Sequence, residues 1–166
     1  MGARRVAILD VPPIGCTPGS RAPMSNGGCN DAANSIVRSF NSFLRLEVAT
    51  AVTTSMPGMK YSIGSTYNVL SDLMANPLVA GLKEVRKACC GAGILNAEVM
   101  CSQPNTTFCF ERDEYMFWDM LHGTQATYER GVLAIFYGSQ KYANPINFAA
   151  LVPNKNYTMT PGVYSM

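Results

Sequence analysis

The chain has 166 residues, of which 48% are hydrophobic and only 14% are charged, so it is long enough and apolar enough to bury one core. Its net charge is +2 and its basic residues are scattered, so the composition predicts neither a nucleic-acid partner nor an anionic membrane surface as a partner. No apolar run reaches the roughly 18 residues that a membrane-spanning helix needs.

The first half of the chain predicts the order strand, helix, strand, helix. Residues 6–11 form an apolar run that stops at Pro12, which is typical of a strand buried on both faces. After a turn-rich loop over 12–28, Asn30 or Asp31 can cap a long helix that ends before Pro57. Residues 59–63 predict a weaker strand and 67–75 a short helix that stops before Pro77. The predicted inner positions of the long helix are Ala33, Ile36, Val37, Phe40, Leu44, Val48 and Ala51.

The second half of the chain is less regular. Residues 84–112 are predicted to be a loop that holds four of the six cysteines. An aromatic stretch over 115–118 is more typical of core than of a lipid-binding groove. Residues 125–136 predict a helix, and residues 153–166 are polar and aperiodic, which predicts a disordered tail. The inner positions expected for the last helix are Ala126, Val132, Leu133 and Phe136.

Alternating strands and helices indicate an α/β fold. Only two strands are clear, however, whereas a parallel sheet covered by helices usually has about five. A two-stranded sheet would leave apolar edges and faces in water. We therefore expect residues 1–152 to be part of an α/β domain, followed by the tail.

The cysteines indicate an oxidising compartment. There are six, no pair has the Cys-x-x-Cys spacing of a metal site, and their surroundings are rich in Gly, Pro and Asn, which favours disulfides over zinc. One loop joins Cys16 to Cys29, so this is the most plausible pair. The adjacent Cys89 and Cys90 would be strained if bonded together, so each is expected to reach either Cys101 or Cys109.

Two sequons agree with secretion, at Asn105 and Asn156, and both are most simply surface-loop positions. The apolar stretch over 6–9 is too short for the hydrophobic part of a signal peptide. We therefore expect a secreted protein whose export signal is not in this chain.

The sole histidine, His122, lies three residues after Asp119. A carboxylate can accept the Nδ1 proton of an imidazole and leave Nε2 as a general base, although Asp119 could also be a simple cap beside a surface histidine. Gly-x-Ser-x-Gly, Gly-x-x-x-x-Gly-Lys and His-Glu-x-x-His are all absent. The candidate nucleophiles Ser62, Ser65 and Ser102 are rejected because none is predicted at a strand-to-helix turn. Asp10, where the first strand ends, is interpreted as a loop-capping residue.

Six blocks carry a resemblance to a known family. They are Val11-Pro12-Pro13-Ile14-Gly15-Cys16; Gly27-Gly28-Cys29-Asn30 with Phe40-Asn41; Tyr67-Asn68 through Asp72-Leu73 to Asn76-Pro77; Lys87-Ala88-Cys89-Cys90-Gly91; Phe117-Trp118-Asp119-Met120-Leu121-His122; and residues 142–151. In this order they resemble the C-terminal half of plant GDSL-type esterase/lipases, a branch of the SGNH hydrolases.

The resemblance implies a partial SGNH fold, a flavodoxin-like three-layer α/β/α arrangement that lacks its N-terminal strands. It implies acyl-ester hydrolysis without a metal or organic cofactor, with Asp119 as orienter and His122 as base. The family's nucleophile, the Ser of Gly-Asp-Ser, and its oxyanion Gly and Asn have no counterpart here. The family usually has Pro where Gly123 stands, which is expected to loosen the turn that holds the base.

We therefore expect a truncated carboxylic-ester hydrolase that is inactive alone and acts on a small-molecule or lipid ester when an N-terminal half completes it. Two alternatives remain. One is a non-catalytic, secreted, disulfide-tied binding module or remnant. The other is a complete enzyme with an unconventional nucleophile.

Overall fold

The computed structural model describes residues 2–153, so the predicted tail and the sequon at Asn156 lie outside the described residues, apart from residue 153. The strands are β1 (Arg5–Leu9), β2 (Lys60–Gly64), β3 (Glu84–Ala88), β4 (Cys90–Gly91), β5 (Thr107–Phe108), β6 (Tyr115–Phe117) and β7 (Ala143–Asn144). The helices are α1 (Pro18–Arg21), α2 (Asp31–Thr54), α3 (Thr66–Ala75) and α4 (Gln125–Tyr137). The α/β class is confirmed, and the three longest helices lie where the sequence predicts them.

Side-chain caps begin each of the three long helices. Of the two candidates for α2, Asn30 is the cap, and its side chain accepts a hydrogen bond from the backbone N–H of Ala33 at 3.1 Å. Ser65 caps α3 and Thr124 caps α4 in the same way. These caps satisfy backbone donors that a helix start leaves without partners, so the starts follow from local sequence.

The main sheet has the order β1-β2-β7. β1 and β2 are parallel, with Ile8 opposite Ile63, while β7 runs antiparallel to β2. Among residues 2–153, β1 pairs with a strand on one side only, and Leu9 is 57% exposed. The prediction of a strand buried on both faces is therefore wrong for the described chain, because residues 5, 7 and 9 on one face are exposed while Val6 and Ile8 on the other face are partly buried.

The prediction of a loop over 84–112 is also wrong. β3 runs parallel to β6, and β4 pairs antiparallel with β5. These strands are short, and β3 mixes charged and apolar residues without a long alternation. Local periodicity therefore carries no signal for pairings that form only when distant segments meet.

The core lies between α3, α4, β6 and β7. Its buried members are Val69, Leu73, Leu82, Met116, Phe117, Ala134, Ile135 and Ala143. Val132, predicted to face inward from α4, is instead 61% exposed.

The inner face of α2 differs from the predicted one. Val37 is buried, but Ile36 and Phe40 are 72% and 53% exposed. Asn34 and Asn41 are buried instead, because their side chains hydrogen-bond to the backbone of the loop after β1. The side chain of Asn34 accepts a hydrogen bond from the N–H of Gly15, and that of Asn41 bonds to both the N–H and the carbonyl of Val11. The spacing of hydrophobic residues does not reveal a helix face whose buried contacts are hydrogen bonds from asparagine side chains.

The disulfides fix the irregular parts of the chain. Cys16 is bonded to Cys29, the pair that the single connecting loop favours. Cys89 is bonded to Cys109 and Cys90 to Cys101, so the two later bridges are nested. Across residues 2–153, no helix combines the length and the apolarity that a bilayer-spanning segment requires.

The buried carboxylate of Asp10 connects three elements. It lies just after β1 and receives hydrogen bonds from Arg45 of α2 at 2.6 Å, from the hydroxyls of Ser65 and Thr66, and from the backbone N–H of Tyr67 at 3.0 Å. Its side chain is fully buried. Asp10 thus supports the start of the helix α3, next to that helix's own cap Ser65, rather than a loop.

We expect Asp10→Ala to lower the free energy of unfolding by roughly 2 kcal/mol or more, because it leaves several donors at this junction without an acceptor. The measurement is urea denaturation followed by far-ultraviolet circular dichroism. Asp113→Ala is the matched control, since this exposed carboxylate should change stability by less than about 0.5 kcal/mol. Equal effects of the two substitutions would contradict the role of Asp10.

Candidate active site

The turn that carries His122 is anchored between β6 and α4. The backbone N–H of Trp118 donates to the carbonyl of His122 at 2.8 Å, and that of Thr124 donates to the carbonyl of Met116 at 3.0 Å. Met116 is fully buried, and Thr124 is the cap of α4. The turn therefore begins and ends in packed structure while its tip faces solvent.

Asp119 and His122 are in direct contact. One carboxylate oxygen, Oδ1 of Asp119, accepts the backbone N–H of Leu121 at 2.8 Å and that of His122 at 2.7 Å. The other, Oδ2, lies 2.9 Å from Nδ1 of the imidazole. A carboxylate acceptor places the ring proton on Nδ1, which leaves Nε2 with a free lone pair. The histidine side chain is 64% exposed, so Nε2 is accessible.

The pKa of the Asp119 carboxyl lies below its ordinary value. Partial burial raises it, but the hydrogen bonds from the backbone N–H and the ring of His122 and from the N–H of Leu121 outweigh that effect. The carboxylate is therefore ionised at neutral pH, where it can orient the ring and stabilise its protonated form. Because this pKa is lowered on folding, the stability that Asp119 contributes is present above the pKa of an unfolded Asp and is lost as the pH falls through the folded value.

The helix α1 also supports the turn, through a contact that the sequence analysis did not predict. The backbone N–H of Gly19, in α1, donates to the carbonyl of Met120 at 2.9 Å. A Cβ at Gly19 would lie 3.1–3.2 Å from atoms of Met120, so a side chain there would push on the turn. The only sequence signal is a small residue next to Pro18, which by itself predicts no contact.

Gly123 lies opposite Phe117 in an antiparallel bridge. The hydrogen bonds made by the N–H groups of Trp118 and Thr124 enclose this bridge. Backbone pairing thus closes the turn here, and the loosening expected from glycine in place of proline stays a prediction.

An apolar cavity of about 400 Å³ opens beside His122. Its walls come from the end of β1, the proline loop that follows it, α3 and α4. Leu9, Tyr128 and Val132 line it and are each more than half exposed. The end of β1 and the candidate base therefore share one apolar concavity.

The candidate nucleophiles are not next to the base. Ser62 is buried and donates to the carbonyl of Ile146, and all six cysteines are in disulfides. Ser65 does lie at a strand-to-helix turn, between β2 and α3, so the reason given for its rejection is wrong. Its hydroxyl is nevertheless buried and bonded to Asp10. Among the described side chains, neither Ser102 nor any other hydroxyl hydrogen-bonds to the imidazole.

Within residues 2–153, no group of three His, Cys, Asp or Glu side chains is placed to hold a metal ion.

Comparison with known proteins shows that the chain is similar to plant GDSL esterase/lipases. No family model matches the chain. It is 30% identical over 158 residues to GDSL esterase/lipase 6 of Arabidopsis thaliana, and 34% identical over 149 residues to GDSL esterase/lipase At1g71250 of the same plant. These matches cover 93% and 89% of this chain but only 43% and 39% of the relatives. The matching segments are the C-terminal halves of the relatives.

We expect the imidazole to hold its proton on Nδ1, because Asp119 accepts from that atom. As His122 is the only histidine, a two-dimensional proton–nitrogen NMR spectrum of the ring reports its tautomer without assignment. Asp119→Ala should remove the preference for the Nδ1-protonated form. Asp113→Ala should leave the spectrum unchanged, and a ring protonated on Nε2 in the unsubstituted protein would contradict the proposed geometry.

Proposed function

We propose that this chain, which belongs with the plant GDSL esterase/lipases as a homologue of their C-terminal half, supplies the general base and its orienter to a carboxylic-ester hydrolase. The observation that carries the proposal is the hydrogen bond between Asp119 and Nδ1 of His122, with Nε2 accessible beside an apolar cavity. Base, orienter and concavity are parts that acyl transfer by a serine nucleophile requires.

In each half of the proposed mechanism, Nε2 of His122 accepts one proton and then donates it. Nε2 accepts the hydroxyl proton of a serine as that oxygen attacks the ester carbonyl, and then gives the proton to the leaving alcohol. It next takes a proton from the water that attacks the acyl-enzyme and returns it to the serine. Asp119 stays ionised throughout and stabilises the imidazolium that forms in between. The substrate is a small-molecule or lipid ester.

The serine and the oxyanion-hole donors come from outside this chain in our proposal. The relatives are more than twice as long as the segment matched here, which leaves room for a separate N-terminal part. We infer that this part adds a strand to the open edge of β1 and covers the exposed rim of the cavity at Leu9 and Val132. Strand addition would satisfy unpaired backbone groups, and the cover would bury apolar surface while leaving the space beside His122 open.

The chain by itself should be inactive. Loss of a triad serine typically costs about a millionfold in turnover, and loss of one oxyanion donor costs about a hundredfold or more. Of the candidate nucleophiles, Ser62 and Ser65 are buried, Ser102 makes no hydrogen bond to the imidazole, and every cysteine is in a disulfide.

We also propose an extracellular location with a glycan at Asn105. Three disulfides agree with an oxidising compartment. Asn105 is exposed in the loop between Cys101 and β5, where an enzyme can reach it.

The second candidate function is a non-catalytic secreted binding module. The two nested disulfides favour it, since they hold exposed loops that a binding surface needs. This candidate predicts a folded protein for which no completing segment restores ester hydrolysis.

Co-expression with the N-terminal half of a relative that contains Gly-Asp-Ser should produce hydrolysis of p-nitrophenyl acetate, whereas neither piece should show it alone. In the complex, His122→Ala should lower kcat by about a millionfold and Asp119→Asn by roughly ten thousandfold. Asp113→Ala is the control and should leave kcat unchanged. Turnover at enzymatic speed by the isolated chain would refute the proposal.

Labelling with a fluorophosphonate locates the nucleophile independently of turnover. We expect one label per complex, on the serine of the completing half, and its loss with His122→Ala because the serine is then not deprotonated. If the isolated chain were labelled stoichiometrically in a His122-dependent way, the unconventional nucleophile of the rival hypothesis would be present.

A further inference from the structure

A buried cationic side chain, that of Arg21, takes no part in the chemistry proposed above. Arg21 is only 8% exposed, and among residues 2–153 it forms no ion pair with a carboxylate. Burial lowers the pKa of its guanidinium, and the charge of Arg86 adds to that effect, although Glu84 acts in the opposite direction. Because a buried charge without a counter-ion opposes folding, hydrogen bonds must account for the position of Arg21.

The guanidinium of Arg21 holds the two ends of α1 together. Its Nε donates to the carbonyl of Cys16 at 2.7 Å, and one terminal nitrogen donates to the carbonyl of Gly27 at 3.3 Å. Both acceptors belong to the loop that the Cys16–Cys29 disulfide closes, which we call the 16–29 loop. α1 lies within this loop and has a single turn, which is too short to be stable by itself. Since Cys16 precedes α1 and Arg21 ends it, this side chain fixes the short helix against its own loop.

α1 in turn holds the segment that carries His122. Pro18, its first residue, is fully buried, and the backbone N–H of Gly19 donates to the carbonyl of Met120 at 2.9 Å. Met120 lies between Asp119 and His122 in the sequence. A displacement of α1 would therefore move or release the turn at a point between the orienter and the base.

The two supports of the turn meet at the carbonyl of Gly27. Arg86, on β3, donates to this carbonyl at 2.6 Å, beside the hydrogen bond from Arg21. β3 pairs with β6, which leads into the turn, whereas α1 reaches the turn through Gly19. Two guanidiniums thus tie one loop to both of the segments that hold the turn in place.

We propose that Arg21 is a positioning residue for the candidate base. Its guanidinium fixes α1, so that Gly19 holds the carbonyl of Met120. This contact keeps the ring of His122 against the carboxylate of Asp119. The planar guanidinium can bind two carbonyls in fixed directions, which the single ammonium of a lysine cannot do.

Arg21 acts at a distance, because it neither lines the apolar cavity nor hydrogen-bonds to the imidazole. Its second terminal nitrogen lies 3.6 Å from Sδ of Met74, which does line the cavity, so an effect on substrate binding through Met74 is the competing explanation. The word base rests on the proposed function, but the geometry of the ring does not. A measurement on the ring can therefore fail while the proposed function stands.

The ring of His122 reports the position of the turn, because it is the only histidine in the chain. Arg21→Met keeps a long side chain and removes every N–H donor of the guanidinium. We expect this variant to keep its circular dichroism spectrum but to lose part of the preference for the Nδ1-protonated ring in the proton–nitrogen spectrum. In the complex with the N-terminal half of a relative, kcat should fall by about a hundredfold at unchanged KM, which is the cost of a small misplacement of a catalytic group.

Two matched controls separate positioning from stability. Arg38→Met removes an exposed guanidinium that donates to the hydroxyl of Tyr67, and Tyr142→Phe removes a hydroxyl that donates to Asp72 of α3. Both variants should leave the ring spectrum unchanged, although Tyr142→Phe should lower the midpoint of urea denaturation. A loss of the Nδ1 preference in either control that equals the loss in Arg21→Met would overturn the proposal.

Gly19→Ala tests the same link with Arg21 intact, and it serves if Arg21→Met does not fold. The added Cβ would lie 3.1–3.2 Å from atoms of Met120, so it should displace the turn and change the ring spectrum in the same direction. Because both substitutions act through one contact, the double variant should lower kcat no further than the more severe single variant.

Three further results would overturn the proposal. One is an unchanged ring spectrum in either folded single variant, and another is a full multiplication of the two effects on kcat in the double variant. The third is a raised KM at unchanged kcat in Arg21→Met, which would assign the effect to Met74 in the cavity wall.

Discussion

The site depends on one short-range contact, in which the carboxylate of Asp119 accepts two backbone N–H groups and the ring Nδ1 of His122. The turn is an exposed excursion between β6 and α4, so its geometry needs support from elsewhere. β3 and the first residues after it provide part of that support, since Cys89 and Cys90 donate to the carbonyls of Phe117 and Trp118. Gly19 provides the rest through the carbonyl of Met120. Segments far apart in sequence therefore converge on the stretch from Phe117 to Met120.

The apolar core reaches an open cavity beside the candidate base. α3, α4, β6 and β7 pack around Met116 and Ile135, and both side chains also line the cavity next to His122. Leu9 and Val132 line the same cavity and are more than half exposed, and β1 has one free edge among the described residues. The turn is thus anchored in packed structure, whereas the surface beside the base is open and suited to a completing segment.

Much of the fold could be predicted because its signals are local. The caps Asn30 and Thr124 and the three-residue spacing from Asp119 to His122 act within one turn of chain, so the sequence alone determined the long helices and the contact between Asp119 and His122. Cys16 and Cys29 belong to the same class, since a single loop joins them.

Only the tertiary structure decided the contacts between distant segments. It chose the nested pairing of Cys89 and Cys90, paired β3 with β6, and placed Ser65 against Asp10 rather than near the base. It also exposed Phe40, because Asn34 and Asn41 anchor α2 to the loop that follows β1. The physical reason is that hydrophobic periodicity and capping report interactions a few residues apart, whereas strand partners, cross-links and burial depend on which remote segment the folded chain brings into contact.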